Sequence, residues 1–309
     1  MANNVLIEIK NLKKYYKSVK AVDDISFKVK SGELFAFLGV NGAGKSTTIS
    51  AITGDIKKDQ GSIFIDGLNV DKDFDKIKPM LGIVFQSSVL DKQLTVYDNL
   101  KSRASLYGIF GEQFDKRLSE LCEILELDAI LYRPLSKLSG GQKRRVDIAR
   151  AIIHSPKILF LDEPTTGLDP MTRKRVWDVI NGLREKQNLT VFLTTHYMEE
   201  AENADFVVII DQGKIIAEGT PLELKNKFTK DCIVLYGSSE EKVLKLNREY
   251  VVENDAIKIF VDSIEEVKEL IIKNPDLFCH FEVIKGKMDD VFLSATGKTL
   301  EGEKKNANS

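Results

Sequence analysis

The chain has 309 residues, which at roughly 150 residues per domain points to one large domain with a smaller one, or to two of middling size. It is 43% hydrophobic and 30% charged, enough apolar material for a sizeable core beneath a wet surface, and this excludes a disordered, collagen-like or mucin-like chain. Lys plus Arg total 45, Asp plus Glu 47, and the formal net charge is −2, so there is no global basic field to concentrate nucleic acid and none is expected as a partner. The three cysteines, Cys122, Cys232 and Cys279, form no C-x-x-C pair and have no histidine at metal spacing, which fits thiols in a reducing cytoplasm. Glu8 stands where a signal peptide would need its apolar stretch, and apolar runs such as Leu34 to Val40 and Phe206 to Ile210 are strand-length, far short of the roughly 20 residues that cross a bilayer. A chain that stays in the cytoplasm is expected, with any membrane role borrowed from a partner.

In chain order, Val5 to Ile9, Ala21 to Val29 and Leu34 to Leu38 read as strands, with a turn at Ser31-Gly32. Leu34 to Leu38 runs into Gly39-Val-Asn-Gly-Ala-Gly-Lys-Ser-Thr47 and then a helix-permissive stretch that stops at Gly54. Gly61 to Asn69 reads as a strand with an Asp-Gly turn, and Leu81 to Phe85 as a buried strand ending at Gln86. From Thr95 to Leu127 the apolar spacing becomes helical: Tyr97, Leu100, Ala104 and Tyr107, then Leu118, Leu121 and Leu125. This helical insert runs into Leu138-Ser-Gly-Gly-Gln142, a helix to Ile153, and a buried strand Lys157 to Leu161 with Asp162 and Glu163 at its carboxyl end. Strands at Thr190 to Leu193 and Phe206 to Ile210 come next, with a turn at Asp211-Gln-Gly213. Alternating strands and helices predict a largely parallel sheet. Thr220-Pro-Leu-Glu223 is a capping box with proline at the first helical position, and it starts a boundary helix. Beyond about Phe228 the order becomes βαββαβ, including a hairpin from Tyr250 to Val261 turning at Asn254-Asp255, which predicts a small ferredoxin-like domain.

Gly39 to Ser46 matches G-x-x-x-x-G-K-[ST] and lies between a predicted strand and a predicted helix, the context that a phosphate-binding loop requires. Its glycines let several backbone N–H groups face phosphate oxygens, and the helix N-terminus adds partial positive charge. Lys45 can then reach the β and γ phosphates of ATP while Ser46 ligates Mg²⁺. Asp162 and Glu163 sit just past a buried strand, where ligands of open α/β sheets collect. There Asp162 would hold Mg²⁺, directly or through water, and Glu163 could orient or deprotonate the water that attacks the γ-phosphate. Taken alone, such an acid pair is more often a solvated turn, and only the phosphate loop upstream gives it this meaning. Leu138 to Gln142 opens a helix, so the hydroxyl of Ser139 and the exposed N–H groups of Gly140 and Gly141 form a second anion site.

These motifs, with Thr166-Gly-Leu-Asp169 and the histidine of Thr194-Thr-His196, occur in an order that resembles an ATP-binding cassette (ABC) ATPase over roughly residues 5–224. The resemblance implies two cassettes packed head to tail, each ATP lying between the phosphate loop of one and the L-S-G-G-Q segment of the other. It implies ATP contacts from Gly39, Asn41, Gly42, Ala43, Gly44, Lys45, Ser46 and Thr47, and, across the dimer, from Ser139, Gly140, Gly141, Gln142 and Asp169. It places His196 on the γ-phosphate, Gln86 at magnesium and water, and Tyr16 against adenine, although Tyr15 is adjacent and a one-residue slip would exchange the two. Val40 departs from the proline common in the family at that place.

Lys137 to Ile153, Glu163 to Pro170, Thr194 to Glu202 and the terminal Met288-Asp-Asp-Val-Phe-Leu293 resemble the ATPase subunits of the drug-resistance group of type-2 ABC exporters, whose members export antibiotics, peptides, lipids, polysaccharides or sodium. The last segment also reads as an amphipathic helix packing Val291 and Phe292 on the small domain. The expected architecture is an α/β cassette with an antiparallel β subdomain and a helical insert over residues 1–227, then a small α+β domain over residues 228–309. Its expected partners are a second copy or a paralogous cassette and a separate membrane permease, with the chain peripheral on the cytoplasmic face. The alternative, an ABC ATPase acting on DNA or ribosomes, would by analogy carry two cassettes, a long coiled coil or a zinc module; one cassette, no sustained heptads and no cysteine cluster are visible. A non-hydrolysing regulator is disfavoured because Lys45, Ser46, Gln86, Asp162, Glu163 and His196 occur together.

Overall fold

The computed structural model describes residues 5–253 and 256–297, and the chain divides into two units, Met1–Glu218 and Gly219–Ser309. In the first, β1 (Val5–Tyr16) and β2 (Val19–Lys30) form a long antiparallel hairpin. β3 (Leu34–Leu38) is next and is buried along its whole length. It feeds the glycine loop and α1 (Lys45–Ile52). β4 (Gln60–Ile65) and β5 (Leu68–Asn69) join through Asp66 and Gly67, both at positive φ, the two-residue turn that an Asp-Gly pair favours. Next come α2 (Phe74–Ile77), β6 (Leu81–Val84), α3 (Val96–Ser105), α4 (Gly111–Leu125), α5 (Gly140–Ile152) and β7 (Ile158–Asp162). α6 (Pro170–Gln187), β8 (Thr190–Thr195), α7 (Met198–Ala201), β9 (Phe206–Asp211) and β10 (Lys214–Gly219) complete the unit.

Two sheets result. One has the order β2-β1-β4-β5, the other β10-β9-β3-β8-β7-β6. In the second, β3 pairs in parallel with β8 and β9, and β7 in parallel with β8 and β6. Strands covered on both faces lose the polar alternation that a one-sided sheet shows, which is why Leu34-Phe-Ala-Phe-Leu38 and Ile158-Leu-Phe-Leu161 read as unbroken apolar runs. β2 alternates instead, and its inward Phe27 stacks on Phe35 at 5.2 Å and meets Phe192 at 6.1 Å between ring centroids, joining the two sheets through one aromatic core. α6 was not anticipated from the sequence. Only Val176, Ile180 and Leu183 of its 18 residues are buried, too thin an apolar stripe among charges to announce a helix.

The second unit opens with α8 (Pro221–Phe228), whose capping box closes with both hydrogen bonds, Glu223 N–H to Thr220 Oγ1 (3.2 Å) and Thr220 N–H to Glu223 Oε2 (2.8 Å). β11 (Asp231–Tyr236), α9 (Glu240–Leu244), β12 (Tyr250–Glu253), β13 (Ala256–Val261), α10 (Ile264–Lys273) and β14 (Phe281–Ile284) come after it, then α11 (Met288–Thr296). The sheet order is β12-β13-β11-β14 with every neighbour antiparallel, the arrangement of a ferredoxin-like fold. The expected turn at Asn254-Asp255 lies outside the described residues. α11 buries Met288, Val291 and Phe292 and packs against α8. That contact draws α8 into the second unit, so the division falls at Glu218/Gly219, ahead of the expected 227/228.

Candidate functional site

The site is built at the carboxyl ends of β3, β7, β6 and β8. β3 delivers the glycine loop, whose tight course needs specific glycines. Gly44 sits at φ +112, and a Cβ there would meet Ala21 O at 2.3 Å, while a Cβ at Gly39 would meet Ile210 O at 2.5 Å. Gly44 is also the N-cap of α1 and, lacking a side chain, supplies no side-chain cap, which leaves the first N–H groups of the helix to an anion, the arrangement of a phosphate site. Lys45 is 5% exposed and donates to Gly39 O (2.7 Å) and Val40 O (3.2 Å), folding back over the loop. Burial pulls its ammonium below the ordinary lysine value, and the Glu163 carboxylate 3.5 Å away opposes that shift.

Asp162 ends β7 directly beside Thr194 of β8. Thr194 Oγ1 donates to Asp162 Oδ1 at 2.5 Å, and Ser46 Oγ lies 3.3 and 3.5 Å from the two carboxylate oxygens. Glu163 leaves the strand at φ +45, a left-handed conformation that costs an ordinary L-residue about 1–2 kcal/mol. Its N–H donates to Thr194 O (3.0 Å), which fixes that turn. The turn aims the carboxylate into a ring of polar groups. Gln86 Nε2 donates to Glu163 Oε2 (3.1 Å), Thr166 Oγ1 donates to the same oxygen (3.3 Å), and His196 Nδ1 lies 3.3 Å from it without hydrogen-bond alignment. Three segments distant in sequence, carrying Lys45, Gln86 and His196, therefore converge with the neighbouring Thr166 on one carboxylate.

A cleft of about 580 Å³ opens over these groups, lined by Asn41, Gly42, Gly44, Lys45, Ser46, Thr47, Gln86 and Glu163, with Val19, Lys20, Ala21 and Gln212 along its other wall. The last four and Thr194 were not singled out from the sequence. Val19 to Ala21 and Gln212 carry no chemical signature, and the adjacency of Thr194 to Asp162 exists only through the pairing of β7 with β8.

Ser139, Gly140, Gly141, Gln142, Asp169 and Tyr16 do not line this cleft. Ser139 is the N-cap of α5 and forms a reciprocal box with Gln142, through Gln142 N–H to Ser139 Oγ (3.3 Å) and Ser139 N–H to Gln142 Oε1 (3.0 Å). Asp169 is the N-cap of α6 and accepts from Thr172 N–H (3.0 Å) and Thr172 Oγ1 (2.5 Å), contacts that hold its carboxyl below the usual range. A Cβ at Gly141 would meet Thr172 Cγ2 at 2.3 Å. The L-S-G-G-Q segment and the start of α6 are thus packed against one another. Tyr15 is committed locally: its hydroxyl donates to Asp23 (2.6 Å), which pushes its pKa up to about 12, and its N–H donates to Asp59. Tyr16, by contrast, is 47% exposed.

The ABC transporter family model matches residues 22–166. The chain is 35% identical over 310 residues to the linearmycin resistance ATP-binding protein LnrL of Bacillus subtilis (strain 168), covering 96% of this chain and 99% of that protein. It is 33% identical over 306 residues to the Nod factor export ATP-binding protein I of Neorhizobium galegae, covering 97% and 87% respectively. Other curated relatives are far longer, and the chain spans 14% of one and 39% of another. Among solved structures, a dimeric bacterial ABC transporter cassette matches with a TM-score of 0.63 at 29% identity, covering 70% of this chain and 98% of that one. With these relatives and with a phosphate loop, an acid pair and a glycine-opened helix on an α/β core, the chain belongs to the ABC transporter family as an ATP-binding subunit that hydrolyses ATP.

Proposed function

We propose that the chain dimerises head to tail on ATP and powers a separate membrane permease that exports its substrate. The observation that carries this reading is the convergence of Lys45, Gln86, Thr166 and His196 on Glu163 at the mouth of the cleft. In it the N–H groups of Gly42 to Ser46 hold the phosphates, and Lys45 turns from its two loop carbonyls toward the β and γ phosphates. Ser46, Asp162 and Gln86 offer hydroxyl, carboxylate and amide oxygens, the hard donors that suit Mg²⁺, and phosphate oxygens complete such a set. When bound, Mg²⁺ supplies charge neutralisation on the β and γ phosphates.

Glu163 takes the proton of the attacking water, Gln86 orients that water, and His196 holds the γ-phosphate side. Tyr16 is favoured over Tyr15 as the adenine platform, since Tyr15 is already anchored to Asp23 and Asp59. The second nucleotide surface is Ser139, Gly140, Gly141 and Gln142 with Asp169, offered to the partner cassette. Ser139 Oγ accepts a hydrogen bond from its own helix, and its hydroxyl hydrogen remains to be donated outward.

Export is inferred from the names of the relatives, one concerned with linearmycin resistance and another with Nod factor export. None of the described helices is long and apolar enough to cross a membrane, so the solute path is assigned to a permease that holds this chain at the cytoplasmic face. Turnover and ATP-dependent mass of the Glu163→Gln chain test the reading. ATP binding should persist, hydrolysis should fall by roughly 10² to 10⁴, and the trapped species should be a dimer. Turnover near that of the parent would remove Glu163 as the base. An Asp91→Cys probe just beyond Gln86 should crosslink to an integral membrane protein in an ATP-dependent way; absence of any such partner, with stimulation by DNA or ribosomes, would overturn the transporter assignment.

A further inference from the structure

Arg144, one turn into α5, is 7% exposed and forms no ion pair among the described residues. Its guanidinium bonds main-chain carbonyls alone. Nε donates to Pro164 O (2.5 Å), Nη1 to Phe85 O (2.6 Å), and Nη2 to both Asp162 O and Glu163 O (3.3 Å each). Desolvation holds its pKa below the ordinary arginine value. Burying such a cation is unfavourable unless its donors are satisfied, and an apolar side chain would fill the same volume without that cost. What the guanidinium adds is a planar fork that fixes where four carbonyls lie.

Those carbonyls flank the two groups that the proposed hydrolysis needs. Phe85 precedes Gln86, and Asp162, Glu163 and Pro164 form the exit of β7. The pairing of β6 with β7 ends at Val84 and Leu161, so Phe85 and the β7 exit lie past the last β6–β7 rung, and Arg144 bridges them there. A second tie lies on the other side of Gln86, where Ser88 Oγ donates to the buried Asp147 of the same helix (3.0 Å). Gln86 is therefore bracketed by two contacts to α5, the helix that Ser139 caps.

We propose that Arg144 is a positioning residue for ATP hydrolysis: from α5 it fixes Gln86 and Glu163 relative to each other without touching the nucleotide. The proposal rests on the reading of Glu163 as the base. Because the same helix begins at the surface offered to the partner's ATP, displacement of that surface would be felt at the chain's own water-activating groups through this fork.

The test uses the full chain with Arg144→Lys, whose single ammonium cannot span four carbonyls, and Arg144→Met. kcat should fall by about 10- to 100-fold, as expected for misplacement of reacting groups by about 1 Å. Nucleotide affinity and KM for ATP should stay within about threefold of the parent. Arg150→Met is the control: that buried guanidinium bonds Ile83 O inside the strand pairing, and its loss should leave kcat within about twofold. Ser88→Ala, at an exposed position, should lower kcat by about threefold with unchanged affinity. Unchanged kcat in folded Arg144 variants, or a fall in kcat matched by an equal fall in nucleotide affinity, would overturn the proposal. So would failure of both Arg144 variants to fold together with an unaltered Ser88→Ala enzyme. Glu163→Gln assayed alongside separates the two claims: if it abolishes turnover while the Arg144 variants do not, only the positioning role is lost.

Discussion

Replacing Ser139 by aspartate separates two roles that the same hydroxyl performs in this reading. In its own chain Ser139 caps α5 through Gln142 N–H, with the reciprocal bond from Gln142 Oε1. Ser139→Ala removes that cap and should cost about 1 kcal/mol, which for a unit of this size lowers Tm by about 2–4 °C. Aspartate caps as well as serine and suits the positive end of the helix, so Ser139→Asp should melt within about 1 °C of the parent. Its effect on the dimer is opposite in kind. A carboxylate facing a phosphate charge at about 4 Å, with an effective dielectric of about 20, is repelled by about 4 kcal/mol. Two such sites per dimer give about 8 kcal/mol, a loss of between about 10⁵ and 10⁶ in the dimerisation constant. The assay is thermal melting together with molar mass by light scattering, in the Glu163→Gln background with ATP and Mg²⁺. The parent should be a dimer, Ser139→Ala a weakened dimer with lowered Tm, and Ser139→Asp a monomer with normal Tm. An ATP-dependent dimer of undiminished strength from Ser139→Asp would leave Ser139 as a helix cap and nothing more.

Thr194→Val keeps shape but removes the hydroxyl that donates to Asp162; stability should fall by about 1.5–3 kcal/mol, the range for a hydrogen bond to a charged group, and the Mg²⁺ concentration for half-maximal activity should rise, so unchanged values of both would show that the contact does not hold the carboxylate. Tyr16→Ala should raise the ATP concentration for half-saturation by roughly 5- to 150-fold, from a stacking contribution of about 1–3 kcal/mol per base, whereas Tyr15→Phe should leave nucleotide binding intact and lower stability through the lost Asp23 contact; the reverse pattern would exchange their roles. A chain ending at Glu218 should fold and bind ATP, and one ending at Lys227 should be more prone to aggregate, because α8 would keep its buried Leu224 without the α11 on which it packs; calorimetry and ATP titration of the two truncations check this.

Local signals were legible in the chain because they are properties of short segments. An unbroken apolar run before Gly39, a glycine at each place where the loop turns tightly, a helix opening at Leu138 to Gln142 and a capping box at Thr220 act over a few residues, and each appears where the pattern places it; the box that Ser139 forms with Gln142 was not read from the sequence. The βαββαβ order at the C-terminal end was equally local, and its antiparallel pairing comes about once each strand has an inward face, as the alternation in β13 shows. α6 escaped because a helix held by three buried side chains takes its stability from what it packs on, and pattern alone carries little of that.

The chemistry of the site was decided by tertiary structure. Asp162 and Thr194 are separated by more than thirty positions, and only the parallel register of β7 and β8 sets them side by side. Glu163 faces Gln86 and His196 because its backbone turns left-handed where β7 ends, a conformation that no side-chain pattern encodes. Arg144 and Arg145 are identical letters in the sequence. α5 buries the first among backbone carbonyls and leaves the second to bond Glu126, since successive helix positions point about 100° apart and only one can meet the exits of β6 and β7.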